Sequence, residues 1–265
     1  VASEEQMALV IVLQTLAANL GSMCTPVGNP QNLYLYFYYA MDLPSFLTLL
    51  LPYTLVSFLL LTLSLFRLPG TPIPISVRLA ARRTRNLPVL APSRRLWLLG
   101  GMFFLSLLTV AHVLDYRLTL AIVIVVTSLT RPRYFRYADY RLLGTFVAFF
   151  ILVGNMSQLP GFRDLLTGYL EGHEFLIALL ASQVISNVPA AVLLSGFTDE
   201  AAALLLGTDI GGLGTLIASM ASLISYGMYV RACPRQQGRY LKLFSLLNLA
   251  YLLVLVLFAW LLVRC

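Results

Sequence analysis

From Leu16 to Tyr36 the chain reads LAANLGSMCTPVGNPQNLYLY, an apolar helical run that falls apart in its middle without a single charge. Gly21, Pro26, Gly28 and Pro30 prevent an unbroken helix there. Proline lacks the N–H and clashes with the preceding turn, and glycine is entropically costly in a helix. In hydrocarbon, each freed backbone group costs several kcal/mol unless it meets protein or a water-filled cavity. Asn19, Ser22, Thr25, Asn29, Gln31 and Asn32 bring uncharged donors and acceptors to the break. A second stretch, 201–229, with GTDIGGLGTLIAS at its centre, repeats the design.

The surroundings of these breaks are apolar enough to be lipid-embedded. Of 265 residues, 59% are hydrophobic and 11% charged, against about 25% charged in an ordinary soluble domain. Runs of about 20 apolar residues match the hydrocarbon core that a helix must cross. The fold class expected is therefore an all-α polytopic membrane protein. The net charge of +7 sits in short loops between apolar segments, with no basic face interleaved with aromatics, so membrane orientation explains it and nucleic acid is not expected as a partner. Cys24, Cys233 and Cys265 have neither metal-ligand nor paired spacing, and no disulfide or bound metal centre follows from them. There is no HExxH or GxSxG, and GGLGTLIAS follows no strand, so neither an intramembrane hydrolase nor a phosphate loop is expected. The chain begins at Val1 without a signal-peptide pattern, and an amino-terminal portion is expected to be missing.

Taken in order, residues 6–20 form a first half-helix, 21–32 the break and 33–40 the second half, followed by a spanning helix 46–66. The loop 67–95 carries seven arginines and no acid, which marks it as cytoplasmic. Two short runs, 96–112 and 117–130, form a helical pair, and a second basic loop leads to helix 142–157. An external, mostly acidic stretch 158–174 precedes residues 175–197, whose two arms of about ten residues meet at Ser186-Asn187-Val188-Pro189. Arms that short do not cross alone, so they predict a re-entrant hairpin. An interrupted helix 201–230 and a last helix 243–263 complete the chain. Three sections follow: 1–66, 67–141 and 142–265. This topology leaves only Arg117, Arg163 and Arg264 of the 18 basic residues outside. It also runs the two interrupted helices in opposite directions, the pattern of inverted repeats around a carrier's binding site.

With ANLGSMCTPVGNPQNL, SQVISNVPAAVLL and GGLGTLIASMASLIS in view, the chain resembles the ion transporter superfamily. That superfamily includes divalent anion:sodium symporters, citrate-transporter-like permeases, arsenite permeases and one group of sodium/proton antiporters. The resemblance covers about two-thirds of the chain and implies two inverted repeats, each with a re-entrant hairpin and an interrupted helix. It places the substrate site at Thr25, Gly28 and Asn29 in the first break, Ser186 and Asn187 at the hairpin tip, and Gly214 and Thr215 in the second break. Thr25, Asn29, Ser186, Asn187 and Thr215 are the Na⁺-site candidates. Val188 stands where the motif has threonine, removing one hydroxyl. The first repeat's own opening helices and hairpin are absent, as expected of an amino-terminally truncated member.

The function that follows is secondary active transport of small anions, di- or tricarboxylates, with no organic cofactor and Na⁺ or H⁺ as coupling ion. A sodium/proton antiporter or arsenite carrier on the same fold is the alternative, and a non-transporting membrane protein the third reading. A homodimer in the plasma membrane is implied by the resemblance. Thr215 has a second reading, a hydroxyl bonded back to its own helix. Asp209, the one acidic residue near membrane depth, is expected to cap the second half-helix at its N-terminus near the outer surface.

Overall fold

The structure is a computed structural model and describes residues 4–66, 94–130, 132–138, 140–156 and 158–264. All regular structure among the described residues is helical. The basic stretch 67–93, Arg131 and Asp139, which enter the orientation reading, lie outside the described residues, as does Cys265 of the cysteine reading. Two compact units form, one from residues 69–142 and one from 2–68 with 143–265.

The smaller unit contains α4 (Arg94–Val110) and α5 (Tyr116–Thr130). They pack on each other and share a buried hydroxyl pair, Thr109 Oγ1 to Thr119 Oγ1 at 2.6 Å. A 3-10 turn, Pro132–Tyr137, follows.

In the larger unit the first break is narrower than 21–32. Helix α1 (Glu4–Ser22) carries Gly21 and Ser22 as its last turn, and α2 (Pro30–Tyr38) restarts at proline. Proline suits the first helical position, where its missing N–H has no partner to lose. Asn29 caps α2, its Oδ1 accepting the Asn32 N–H at 3.0 Å. The second interruption, 212–219, lies between α10 (Ala201–Gly211) and α11 (Met220–Ala232). Ser219 caps α11 by accepting the Ala221 N–H at 3.1 Å.

Helix α3 (Leu43–Phe66) starts three residues before the expected 46, because Asp42 accepts the Ser45 N–H at 3.0 Å and fixes the first turn. Helix α12 (Gln237–Arg264) likewise begins ahead of 243, taking in a polar turn that apolar patterning leaves out. Helix α6 is Tyr140–Met156, and the stretch 158–174 contains a helix, α7 (Pro160–Leu170), again opened by proline. Among the described residues, two segments are long and apolar enough to cross a membrane, Leu43–Phe66 and Pro234–Leu262. At 1.5 Å per residue α3 reaches about 36 Å. Its outer face is apolar, with Phe58 69% and Phe66 82% exposed, a surface suited to lipid.

The core is built around α10, whose residues from Leu204 to Gly211 are all buried. It packs on α8 (Glu174–Ile185), α9 (Asn187–Ser195), α2, α3 and α12. Its approach to α8 is set by glycines one turn apart. A Cβ on Gly207 would overlap the Phe175 carbonyl, and one on Gly211 would come within 2.8 Å of Ser182 Oγ. Small residues at four-residue spacing let two helix backbones approach closely where lipid offers no hydrophobic drive.

Candidate functional site

The halves of the two broken helices pair crosswise: α1 lies along α11, and α2 along α10. The first half of each therefore lies beside the second half of the other, and the helices run in opposite directions with their breaks side by side. Backbone freed at one break is within reach of side chains from the other.

At the α2–α10 crossing, Asn29 Nδ2 and Gln31 Nε2 both donate to Asp209 Oδ1, each at 3.2 Å. The Asn32 side chain lies against the same carboxylate and donates from Nδ2 to the Met23 carbonyl at 3.3 Å. These three amides occupy the N-cap and first turn of α2. Asp209 is thus not an N-terminal cap at the outer surface. It sits in the last turn of α10, 6% exposed, because Gly211 and Gly212 end that helix after the carboxylate rather than before it. Glycine favours helix C-termini over N-termini, which accounts for the direction of the break.

At the α1–α11 crossing, Ser219 Oγ donates to Asn19 Oδ1 at 2.8 Å while capping α11. Among the described residues, four buried polar atoms near the two crossings have no hydrogen-bond partner: Asp209 Oδ2, Asn32 Oδ1, Asn19 Nδ2 and Ser222 Oγ. The two at α2–α10 are acceptors, whereas α1–α11 leaves an amide donor and a hydroxyl. Buried groups without partners are costly in apolar surroundings.

The hairpin tip joins the second break. Ser186 Oγ and the Asn187 N–H both donate to the Ala218 carbonyl, at 3.3 and 3.0 Å. Ser186 is held at φ 75°, ψ 153°, a region glycine adopts easily and other residues enter only under strain. Gly212 makes room for Asn187, since a Cβ there would lie 2.9 Å from Asn187 Nδ2.

Gln183, which sequence reading passes over, holds the break open. Its Nε2 donates to the Gly211 carbonyl at 2.8 Å, and its Oε1 accepts the Thr215 N–H at 3.0 Å. Thr215 Oγ1 donates to the Gln183 carbonyl at 2.9 Å, so this hydroxyl bonds to the hairpin and not to its own helix. Gly214 has φ 100° and presses against the Gln183 amide, leaving no space for a side chain. The only hint in the sequence was a glutamine three positions before Ser186 in an apolar arm.

Of the residues expected at the site, Asn29 joins Asp209, Ser186 and Asn187 join Ala218, and Gly214 and Thr215 join Gln183. Thr25 and Gly28 are exposed, and close the first break through a bond from the Gly28 N–H to the Thr25 carbonyl at 3.0 Å. Among the described residues, no group of three or more His, Cys, Asp or Glu side chains is placed to hold a metal ion. Cys24 and Cys233 are free thiols.

The citrate transporter family matches residues 3–221. Uncharacterized transporter MJ0456 of Methanocaldococcus jannaschii is 30% identical over 253 residues, 94% of this chain. Inner membrane protein YbiR of Escherichia coli is 31% identical over 225 residues, 83% of this chain. The chain spans 66% of the length of the first and 58% of the second. No solved structure matches it. The match extends through both helix breaks and the hairpin between them, and the chain belongs to the citrate transporter family, a family of membrane transporters.

Proposed function

We propose that the protein is a secondary active carrier of small anions, di- or tricarboxylates, driven by a coupled cation. The observation that carries this reading is the crosswise pairing of two broken helices, with the α8–α9 hairpin tip bonded to the second break. Two half-helix N-termini, those of α2 and α11, offer partial positive charge to substrate carboxylates. The donors left over at Asn19 and Ser222 suit an anion arriving at the N-terminus of α11. Thr25, Gly28, Asn29, Ser186, Asn187, Gly214 and Thr215 line the chamber in this proposal, and Na⁺ supplies the charge that lets an anion rest at low dielectric.

Under the same proposal α8 and α9 are a re-entrant hairpin, and the two broken helices belong to inverted repeats that move against each other to alternate access. The basic loops face the cytoplasm across the inner membrane, and two copies associate. The test is uptake of labelled citrate, succinate and arsenite into liposomes bearing the purified protein, with and without a Na⁺ gradient. Na⁺-driven uptake of a carboxylate is expected, and its absence for every carboxylate ends this reading.

A second reading is favoured by one observation, the burial of Asp209 among the amides of α2. A sodium/proton antiporter needs a carboxylate at its site, and this one is at the breaks. Proton efflux on Na⁺ addition, without any anion requirement, would select it.

A further inference from the structure

We infer that Asp209 and Asn32 form a Na⁺ site at the α2–α10 crossing, neither of them among Thr25, Asn29, Ser186, Asn187 and Thr215, to which family likeness gives the coupling ion. This site rests on the carrier reading for its role but not for its chemistry. Asp209 Oδ2 and Asn32 Oδ1 are both buried oxygens with no donor among the described residues, on residues that are 6% and 0% exposed. The orientation of Asn32 is fixed by its donation to the Met23 carbonyl, so its oxygen, not its nitrogen, is the atom left over. Asn29 is oriented in the same way, its oxygen being taken by the Asn32 N–H.

The charge balance asks for a cation. Asn29 and Gln31, which donate to Asp209, are neutral, and so is Asn32 beside it. When ionised, the carboxylate contributes a full negative charge. The C-terminus of α10, where it sits, adds about half a charge of the same sign, and the N-terminus of α2 offsets about half a charge. A negative remainder inside apolar surroundings is costly until a cation neutralises it. Two oxygens free of donors beside a helix C-terminus are what such an ion needs, because unwound carbonyls and helix ends hold coupling cations in carriers of this design.

The experiment is ²²Na⁺ binding to the purified protein in detergent. Saturable binding is expected, falling at least tenfold in Asp209→Asn. Undiminished binding in that variant overturns the site. Should Asp209→Asn not fold, the wild-type protein answers through dicyclohexylcarbodiimide, which attacks carboxyls in apolar surroundings. Modification of Asp209, located by mass spectrometry, should slow at least fivefold with Na⁺ and not with choline; modification indifferent to Na⁺ overturns the site. Na⁺-driven carboxylate uptake that Asp209→Asn leaves intact removes this site and spares the carrier reading. Na⁺ bound at Asp209 in a protein that moves no carboxylate does the reverse.

Discussion

Asn29 donates to Asp209 at 3.2 Å across 180 positions of sequence, tying the last residue of one helix break to the last turn before the other. The same side chain caps α2 through its oxygen. One amide thus sets both where α2 begins and where the two breaks meet.

Replacing Asn29 with Ala therefore removes two things. The cap is worth about 1 kcal/mol, and a hydrogen bond to a charged partner about 1.5–3 kcal/mol. Unfolding measured for Asn29→Ala, Asp209→Asn and the double variant should give a coupling of about 1 kcal/mol or more. Additive effects would mean that the contact contributes nothing of its own.

The glycines of the first break are predicted to behave oppositely. A Cβ at Gly28 would collide with the Ser22 carbonyl, whereas one at Gly21 meets nothing within 4 Å. Gly28→Ala should cost about 1–3 kcal/mol, as overpacking does, and Gly21→Ala, within helix α1, should be neutral or stabilising. The fraction of protein that stays monodisperse after extraction, compared between the two variants, checks this. Equal behaviour would show that the turn relaxes freely.

Gln183 bridges the Gly211 carbonyl and the Thr215 N–H with its two amide ends. Leucine at this position fills similar space but strands a donor and an acceptor, at about 1–3 kcal/mol each. Gln183→Leu is expected to abolish transport while retaining helix content by circular dichroism. Wild-type uptake in that variant would remove Gln183 from the working site.

The two interruptions and the hairpin were legible in the sequence because their causes are local. Proline at residue 30 can only start a helix, and Ser186-Asn187 with Pro189 stops one arm and opens the next. The partners of Asp209 were not legible. A carboxylate between two glycine-containing runs reads equally as the start of one half-helix or the end of the other, and the amides that decide it lie on a different helix. Gln183 was hidden for a related reason: within an apolar arm, nothing local tells a glutamine that bridges two backbone groups from one that faces a neighbour. Helix α12 was underestimated because hydropathy stops at Lys242, while Gln, Arg and Lys are good helix formers.

Asp42 carries a pH dependence of known sign. The Ser45 N–H donates to its carboxylate and holds it below the usual range. A depressed folded value means that the anchoring of α3 is fully present above the ordinary carboxylate pKa, about 3.9, and is lost as pH falls through the lower folded value. Hydrogen exchange at Ser45 should accelerate, relative to its intrinsic rate, only on that acid limb. Acceleration already at pH 5 would contradict it.

Ser186 separates backbone from hydroxyl. Its φ of 75° and ψ of 153° cost about 1–3 kcal/mol for a residue with a side chain, while its bond to the Ala218 carbonyl at 3.3 Å returns about 0.5–1.5 kcal/mol. Glycine at this position loses the bond but also the strain, so Ser186→Gly should unfold at the same temperature as wild type or higher. Ser186→Ala keeps the strain and loses the bond, and should unfold earlier. Strain held at a hairpin tip in this way suggests a hydroxyl needed for binding, and Ser186→Gly is accordingly expected to fold well yet take up substrate at least tenfold more slowly. If Ser186→Gly instead transports at the wild-type rate, the serine is only a turn residue, and substrate contact at the tip falls to Asn187.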